Sequence, residues 1–472
     1  MMEFKSIVDA LAALESGLVS SVELVEAALA TADAVDGKLG AFVTRFDEKA
    51  LRAAKKADRA RSAGVAVGSL HGIPVGVKDI LTTEDGPTTA QSLVPDPNGA
   101  SGRLADATAV QRLRSAGAIV LGKLSTMEYA VGMPDPASSF PMPRNPWEPA
   151  RWAGGSSSGS GSAVSVGAVL GALGTDTAAS IRMPAAFCGV TGLKPTFGLV
   201  PRTGCIPLAR TLDHVGPLAR SARDCDLMLD VLAGHDGADV DSVRSPRWHG
   251  EISRTGRLDG VRIGLDPLDR YGTARRDSAL DGAVDQAMRS LEDLGAEIVP
   301  VELPWYTEVS AAAKVILLAE AFGYHQDALR EHWDSYSLST RLRVSTGASL
   351  SAGDYIDAQR VRRMAGSAMA GVFREVDLIV TPTAGRGAPL IADMHYANGA
   401  MDLAFPLYTA YWNMLGNPAV SVPIGLSVSG VPLAMQIIGE PFRDKDVLTA
   451  ADAYQSVTDW HRTLPAMAGG EL

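Results

Sequence analysis

The stretch 154–162, nine residues of glycine and serine only, constrains the fold more than any other part of the sequence. Such a segment can be a flexible linker, a phosphate-binding loop or a catalytic loop. A linker is disfavoured because small apolar residues continue directly over 163–173, which predicts a tightly packed, buried helix. A phosphate loop is disfavoured because the segment lacks Gly-Lys-Ser/Thr and a Gly-x-Gly-x-x-Gly after a strand. Serine chemistry is therefore the favoured interpretation.

Ser157 is one candidate nucleophile within this segment. The pattern Gly155-x-Ser157-x-Gly159 matches the nucleophile elbow of α/β-hydrolases, which needs a strand before the serine and a helix after it. Four prolines lie in 141–152, and proline cannot donate to a sheet ladder, so the preceding strand is not expected. An α/β-hydrolase-like esterase that acts through Ser157 is kept as a competing mechanism.

Short apolar runs alternate with amphipathic stretches from residue 70 onward, which is typical of an α/β sheet protein. Strands are predicted at 73–77, 118–121, 261–265, 378–381, 419–423 and 435–438, the run 419–423 ending at its proline. The sheet is then assembled from distant parts of the chain. We expect one α/β domain over 1–472, divided into an N-terminal helical layer (1–66), a catalytic core (67–245), a substrate-shaping segment (246–376) and a return to the core sheet (377–472).

Charge and composition exclude several classes of function. The net charge of −11 has no acidic or basic blocks, which argues against a nucleic-acid surface. No signal peptide is visible in 1–14, and the run 162–173 is too short to span a bilayer, so a cytoplasmic location without membrane association is expected. Three cysteines without a Cys-x-x-Cys pair, and histidines without metal-binding spacing, suggest that the protein needs neither a metal nor an organic cofactor.

Three segments together resemble the amidase signature family: 72–79 (GIPVGVKD), 154–162 (GGSSSGSGS) and 174–184 (GTDTAASIRMP). Similarity continues through 188–196, 212–217, 413–425 and 436–446, and it thins over the middle segment. The resemblance implies a single large domain with a central, mixed, twisted β-sheet covered by α-helices. It also implies a hydrolase acting on the C–N bonds of linear amides.

Carried onto this sequence, the family pattern makes Ser180 the nucleophile, Ser156 a bridging serine after a cis Gly155–Ser156 bond, and Lys78 the base. The three segments contain no histidine, so a lysine must activate the serine. The apolar run 73–77 suggests that Lys78 leaves a buried strand, and burial would lower its pKa into the useful range. The alternative is a surface lysine paired with Asp79.

The resemblance also implies an oxyanion hole built from the backbone N–H groups of Thr177, Ala178, Ala179 and Ser180. Most family members carry two glycines where this chain has Ala178 and Ala179, so we expect negative φ angles there or stored strain. Two residues have supporting roles at the serine loop: Gly155 would limit steric conflict at the cis bond, and Ser157 would fix the loop by hydrogen bonds. Asp176 and Arg182 would brace the nucleophile loop by charge-assisted hydrogen bonds, although a purely structural ion pair is equally consistent with the sequence.

Met127 and Met183, with aromatic residues of the middle segment, predict an apolar pocket for a small-molecule aryl or alkyl amide, or for a carbamate (urethane).

The second candidate function is the glutaminase-type A subunit of a tRNA-dependent amidotransferase. Met183 disfavours this second function, because that subunit usually has glutamine at the position of Met183. A third interpretation is a binding module without activity, which the joint presence of Lys78, Ser156 and Ser180 disfavours. A homodimer is possible.

Overall fold

The computed structural model describes residues 5–65, 67–97, 99, 104–244, 252–272, 276–394, 396–397, 400–401 and 406–469. An eleven-stranded mixed sheet runs through this part of the chain. Its strands are β1 (Phe42–Arg45), β2 (Pro74–Lys78), β3 (Ile119–Leu124), β4 (Gly171–Asp176), β5 (Thr191–Lys194), β6 (His214–Ala219), β7 (Arg262–Leu265), β8 (Glu297–Pro300), β9 (Leu378–Pro382), β12 (Ala419–Leu426) and β13 (Pro432–Gly439). Their order across the sheet is β1-β3-β2-β4-β6-β5-β12-β13-β9-β7-β8. A separate hairpin joins β10 (Tyr396–Ala397) to β11 (Ala400–Met401).

Helices cover both faces of this sheet. They are α1 (Ile7–Glu15), α2 (Ser21–Leu39), α3 (Asp47–Ser62), α4 (Thr108–Ser115), α5 (Ser158–Val166), α6 (Arg182–Cys188), α7 (Ala222–Leu232), α8 (Leu280–Asp293), α9 (Tyr306–His332), α10 (Leu338–Ser345), α11 (Ala352–Val372), α12 (Ala410–Leu415) and α13 (Asp444–Ser456). None of the described helices is long and apolar enough to cross a membrane.

The starts of the first two helices follow from their capping residues. The Ser6 hydroxyl accepts from the Asp9 backbone N–H and starts α1. Ser20 and Glu23 form a capping box, with each side chain accepting from the backbone of the other, and start α2. Helices α1, α2 and α3 fall within the segment 1–66, and β1, which lies between α2 and α3, joins the edge of the sheet.

Two large hydrophobic clusters lie on opposite faces of the sheet. Along β9, Leu378 and Val380 belong to one cluster and Ile379 to the other, because successive side chains of a strand point to opposite faces. The first cluster also takes residues from α1, α2, α7, α8 and α13, and the second from α9 and α11. The apolar runs read as strands are therefore buried on both sides, which confirms the single α/β domain.

Two expectations about individual elements are wrong. The predicted helix over 163–173 is divided: α5 ends at Val166, where Gly167 takes φ +77°, and β4 begins at Gly171. The strand expected to end at Pro423 continues to Leu426. Pro423 pairs with Ala434, and the register shifts directly afterwards; such an irregularity accommodates a residue without an N–H donor.

The sheet order brings the signature segments together. Strands β2 and β4 are parallel neighbours, with Val77 opposite Leu173. Their carboxyl ends, at Lys78 and Asp176, therefore lie at the same edge of the sheet. Helix α5 packs against both strands and begins at Ser158, within the glycine and serine segment, so the residues just before it, Ser156 and Ser157, are carried to the same edge.

Candidate active site

Lys78 is the last residue of β2 and is fully buried. Its Nζ lies 2.7 Å from the hydroxyl oxygen of Ser156 and 2.8 Å from that of Thr175. The neighbouring Asp79 faces elsewhere: its carboxylate is 3.3 Å from Nζ of Lys123, which is also fully buried. The alternative of a surface Lys78 paired with Asp79 is therefore wrong.

Burial lowers the pKa of Lys78 to about 7, against the opposing charges of Asp176 and Asp213, which favour the protonated amine. Removing an ammonium group from water disfavours its charged form, and here this effect dominates. With such a pKa, about half of the Lys78 side chains are neutral at pH 7. Lys78 can thus act as a proton acceptor under ordinary conditions.

The loop before α5 presents Ser156 and withholds Ser157. The Gly155–Ser156 peptide bond is cis, as the resemblance implies. Ser157 is fully buried, and its hydroxyl both donates to the carbonyl of Thr175 and accepts from the N–H of the same residue, at 3.1 Å each. In the fully described stretch 125–157 no strand longer than an isolated bridge forms. The prediction that Ser157 is the nucleophile of an elbow is therefore wrong, because the Ser157 hydroxyl is hydrogen-bonded to β4 and no strand directly precedes the serine.

Ser180 lies in the loop between β4 and α6 and is partly exposed. It lines a cavity of about 80 Å³ together with Ser156. Its carbonyl accepts from the Ser157 N–H at 3.1 Å, which fixes the two loops to each other. Among the described residues no hydrogen bond joins the hydroxyls of Ser156 and Ser180; catalytic hydrogen bonds are often long before substrate binds.

The loop 177–180 carries unused backbone donors. Within the described chain, the N–H groups of Thr177, Ala178, Ala179 and Ser180 donate to no protein acceptor. Neither Ala178 nor Ala179 has a positive φ, so the expectation of negative φ at both is confirmed and glycine is not required there. The Thr177 hydroxyl donates to Asp213 at 2.6 Å, which anchors the start of the loop. Consecutive free N–H groups beside Ser180 are suited to binding an oxyanion.

Asp176 and Arg182 form the predicted ion pair across the base of this loop. Both are fully buried, and the guanidinium meets the carboxylate in two contacts, at 3.0 and 3.1 Å. The carboxylate also accepts from the backbone N–H of Ile181 at 3.1 Å. Burial alone would raise the pKa of Asp176, but the charge and hydrogen bonds of Arg182 outweigh it and hold the pKa below its usual range.

Sequence reasoning assigned no role to four residues that complete this framework. Asn413 binds both the carbonyl and the carboxylate of Asp176, and Gln436 accepts from Arg182 at 2.9 Å. Thr175 and Asp213 hold Lys78 and the oxyanion loop, as described above. Asp213, Asn413 and Gln436 lie in the segments 212–217, 413–425 and 436–446. The similarity of these segments to the family is the sequence signal that points to them.

The cavity at Ser180 is mostly apolar. Met127 and Met183 line it as expected, and two residues of the segment 246–376, Leu317 and Arg343, complete it. Trp152 and Leu407 add further apolar surface. Of the described residues that line this cavity, Arg343 alone is charged. The walls thus combine an apolar surface with one positive charge.

Comparisons with known proteins find similarity over nearly the whole chain. The Amidase family model matches residues 23–448. The glutamyl-tRNA(Gln) amidotransferase A subunit of Thioalkalivibrio sulfidiphilus (strain HL-EbGR7) is 38% identical, over 98% of this chain and 99% of the relative.

Solved structures are similar over almost the whole chain. A protein from a complex described as revealing the evolutionary origins of an s-triazine catabolic enzyme superimposes with a TM-score of 0.86 at 33% identity, covering 96% of this chain and 98% of that one. The peptide amidase of Stenotrophomonas maltophilia does so with a TM-score of 0.80 at 30% identity, covering 96% of each. The chain therefore belongs to the Amidase, or amidase signature, family of enzymes that act on the C–N bonds of amides.

Proposed function

We propose that the protein hydrolyses carboxylic amides through an acyl-enzyme on Ser180, with Ser156 relaying protons between Ser180 and Lys78. The observation that carries this proposal is the 2.7 Å contact between the Lys78 Nζ and the Ser156 hydroxyl, both of which belong to buried side chains. A lysine with a pKa of about 7 is matched to general-base work at neutral pH.

The steps follow from the positions of these groups. Neutral Lys78 takes the proton of Ser156, Ser156 takes that of Ser180, and the Ser180 Oγ attacks the carbonyl carbon of the substrate. The unused N–H groups of 177–180 stabilise the negative oxygen that forms. The proton then returns through Ser156 to the departing amine. A water molecule next attacks the acyl-enzyme and gives its proton to Lys78 through Ser156. The acid is released when Ser180 takes that proton back.

The lining of the cavity favours an apolar group next to the reacting carbonyl. Methionine side chains adapt to ligands of varied shape, and Met127, Met133 and Met183 all line the cavity. Its volume of about 80 Å³ limits the size of the group next to the reacting carbonyl. We therefore propose aryl or alkyl amides as the substrate class, with carbamates as the closest chemical alternative.

A second candidate is the glutaminase-type component of an amidotransferase. It is favoured by the relative from Thioalkalivibrio sulfidiphilus, whose similarity extends over the whole chain. Met183 favours the first candidate, because a thioether does not recognise a polar amide side chain.

The purified chain, assayed against anilides, aliphatic primary amides, carbamates and L-glutamine, distinguishes these candidates. Turnover of the apolar amides supports the first, and ammonia release from glutamine alone supports the second. Ser180→Ala should abolish turnover, and mass spectrometry of the wild type quenched during turnover should show the acyl group on the peptide containing Ser180. Near-normal turnover by Ser180→Ala would refute the proposed nucleophile.

A further inference from the structure

A second cavity, of about 260 Å³, adjoins the cavity at Ser180. Met127 and Met133 line both, so a substrate bound at Ser180 can extend past these two side chains. We call this second space the outer cavity. The reaction steps proposed for Ser180, Ser156 and Lys78 make no use of it.

The charge in the outer cavity is of one sign. Glu128 and Asp135 line it, and its described lining includes no lysine, arginine or histidine. Neither carboxylate makes an ion pair within the described part of the chain. Only 8% of Glu128 is exposed. A carboxylate so deeply buried is stabilised by a cation that reaches it.

Hydrogen-bonding capacity in the outer cavity is also unused. One oxygen of Glu128 accepts from the Ser92 hydroxyl at 2.6 Å, and the other from the Ser337 N–H at 2.9 Å. Each carboxylate oxygen can accept a further hydrogen bond. Thr126 also lines the outer cavity; this residue is 1% exposed, and its hydroxyl has no partner among the described residues. Buried hydroxyls are usually hydrogen-bonded, so this one is an available acceptor.

The remaining walls suit an alkyl chain. Met127, Met133, Met142 and Phe140 supply apolar surface to the outer cavity, and the first two also line the cavity at Ser180. Methylene groups would pack against this surface, while an ammonium at the end of the chain would meet Glu128 and Thr126. An anionic or a purely apolar ligand would leave these acceptors unpaired.

We propose that the outer cavity binds a cationic amine carried by the substrate at a distance from the amide bond that is cleaved. The inference rests on the proposed amide hydrolysis and names the substrate class more closely: amides bearing a primary ammonium on an alkyl chain. The alkyl chain of the substrate can belong to either the acyl group or the leaving amine, and the experiment below distinguishes these two cases.

The test compares each charged substrate with an uncharged isostere. 6-Aminohexanamide is paired with heptanamide, and N-(6-aminohexyl)acetamide with N-heptylacetamide. We expect kcat/KM of the wild type to favour the charged member of at least one pair by about 10-fold, which corresponds to about 1.4 kcal/mol. Glu128→Gln, which keeps the shape of the side chain, should bring that ratio close to one.

Two further variants serve as controls. Glu48→Gln removes the same charge from a side chain that is 91% exposed, and it should leave the ratio at the wild-type value. Thr126→Val removes the unpaired hydroxyl and should lower the ratio by a smaller factor than Glu128→Gln. A wild-type ratio of one or less for both pairs, or a ratio that persists in Glu128→Gln, would overturn the inference.

Failure of the proposed function has a different signature. If the wild type cleaves none of these four amides, and none of the anilides, aliphatic amides and carbamates, amide hydrolysis itself is refuted. The outer cavity is then tested by calorimetry with hexylammonium chloride and with hexan-1-ol. Binding of the ammonium alone, lost in Glu128→Gln, upholds the cation site, and equal binding by the wild type and Glu128→Gln refutes it.

Discussion

The Lys78 Nζ lies 2.7 Å from the Ser156 hydroxyl, and neither residue is more than 2% exposed. Burial lowers the pKa of Lys78 to about 7. Only the neutral amine can accept a proton, so kcat/KM for an uncharged amide should fall about tenfold per pH unit below that pKa and level off above it. The pH profile between about pH 5 and pH 9 checks this. A flat profile, or one that falls with rising pH through 7, would contradict the role of Lys78.

Lys78→Met tests how the buried lysine changes the pH dependence of the free energy of unfolding. The pKa of this lysine is 10.5 when unfolded and about 7 when folded, so the unfolded chain binds the proton more readily between these values. The free energy of unfolding of the wild type, relative to Lys78→Met, should therefore decrease as the pH falls from about 10.5 to about 7, and then stay constant. Urea denaturation of both proteins at several pH values measures the difference.

The same variant should lose nearly all activity, by a factor of about 10³ or more, because the remaining groups include no equivalent base. At pH 7 it should be at least as resistant to urea as the wild type, since it no longer buries an ionisable amine. An inactive variant that is also strongly destabilised would indicate that Lys78 holds the fold together instead.

Ser156 and Ser157 are adjacent, and they should respond differently to replacement by alanine. Ser156→Ala breaks the contact with Lys78 and should lower kcat by about 10² to 10⁴. Ser157→Ala removes two buried hydrogen bonds to Thr175 and should cost about 1 to 3 kcal/mol of stability, with a much smaller loss of kcat. Steady-state kinetics with urea denaturation of both variants checks this. A larger loss of kcat in Ser157→Ala would reverse the assignment.

The sequence allows the catalytic groups to be predicted better than the support around them. Lys78 stands at the end of an apolar run, and such a run predicts a buried strand whatever its neighbours are. The ion pair of Asp176 and Arg182 is supported from far along the chain: Asn413, 237 residues after Asp176, binds the carboxylate, and Gln436, 254 residues after Arg182, binds the guanidinium. Those contacts depend on the order of strands in the sheet, and local pattern does not determine that order. The predicted ends of α5 and β12 are wrong for a related reason: the effects of Gly167 and Pro423 depend on their neighbours in space.

Ala178 and Ala179 occupy positions where glycine is usual in the family, and both have negative φ angles. Alanine restricts the unfolded chain more than glycine does, at no cost to a loop with this backbone geometry. Ala179→Gly should therefore lower the free energy of unfolding by about 0.4 to 1 kcal/mol without raising kcat. Urea denaturation and kinetics of this variant provide the check. A stabilised or faster variant would mean that the loop takes a positive φ during catalysis.

Arg182→Met removes one partner of the fully buried pair at the base of the nucleophile loop. The unpaired carboxylate of Asp176 would then cost about 3 to 5 kcal/mol of stability. Because the same carboxylate accepts a hydrogen bond from the N–H of Ile181, next to Ser180, kcat should fall as well.

The matched control is Arg202→Met, which breaks another buried ion pair, between Arg202 and Asp239. Neither residue of that pair lines the cavity at Ser180. Both variants should be destabilised in urea, but at a temperature where both are folded only Arg182→Met should show a reduced kcat. Equal kcat values would mean that the pair supports the fold and not the position of the nucleophile.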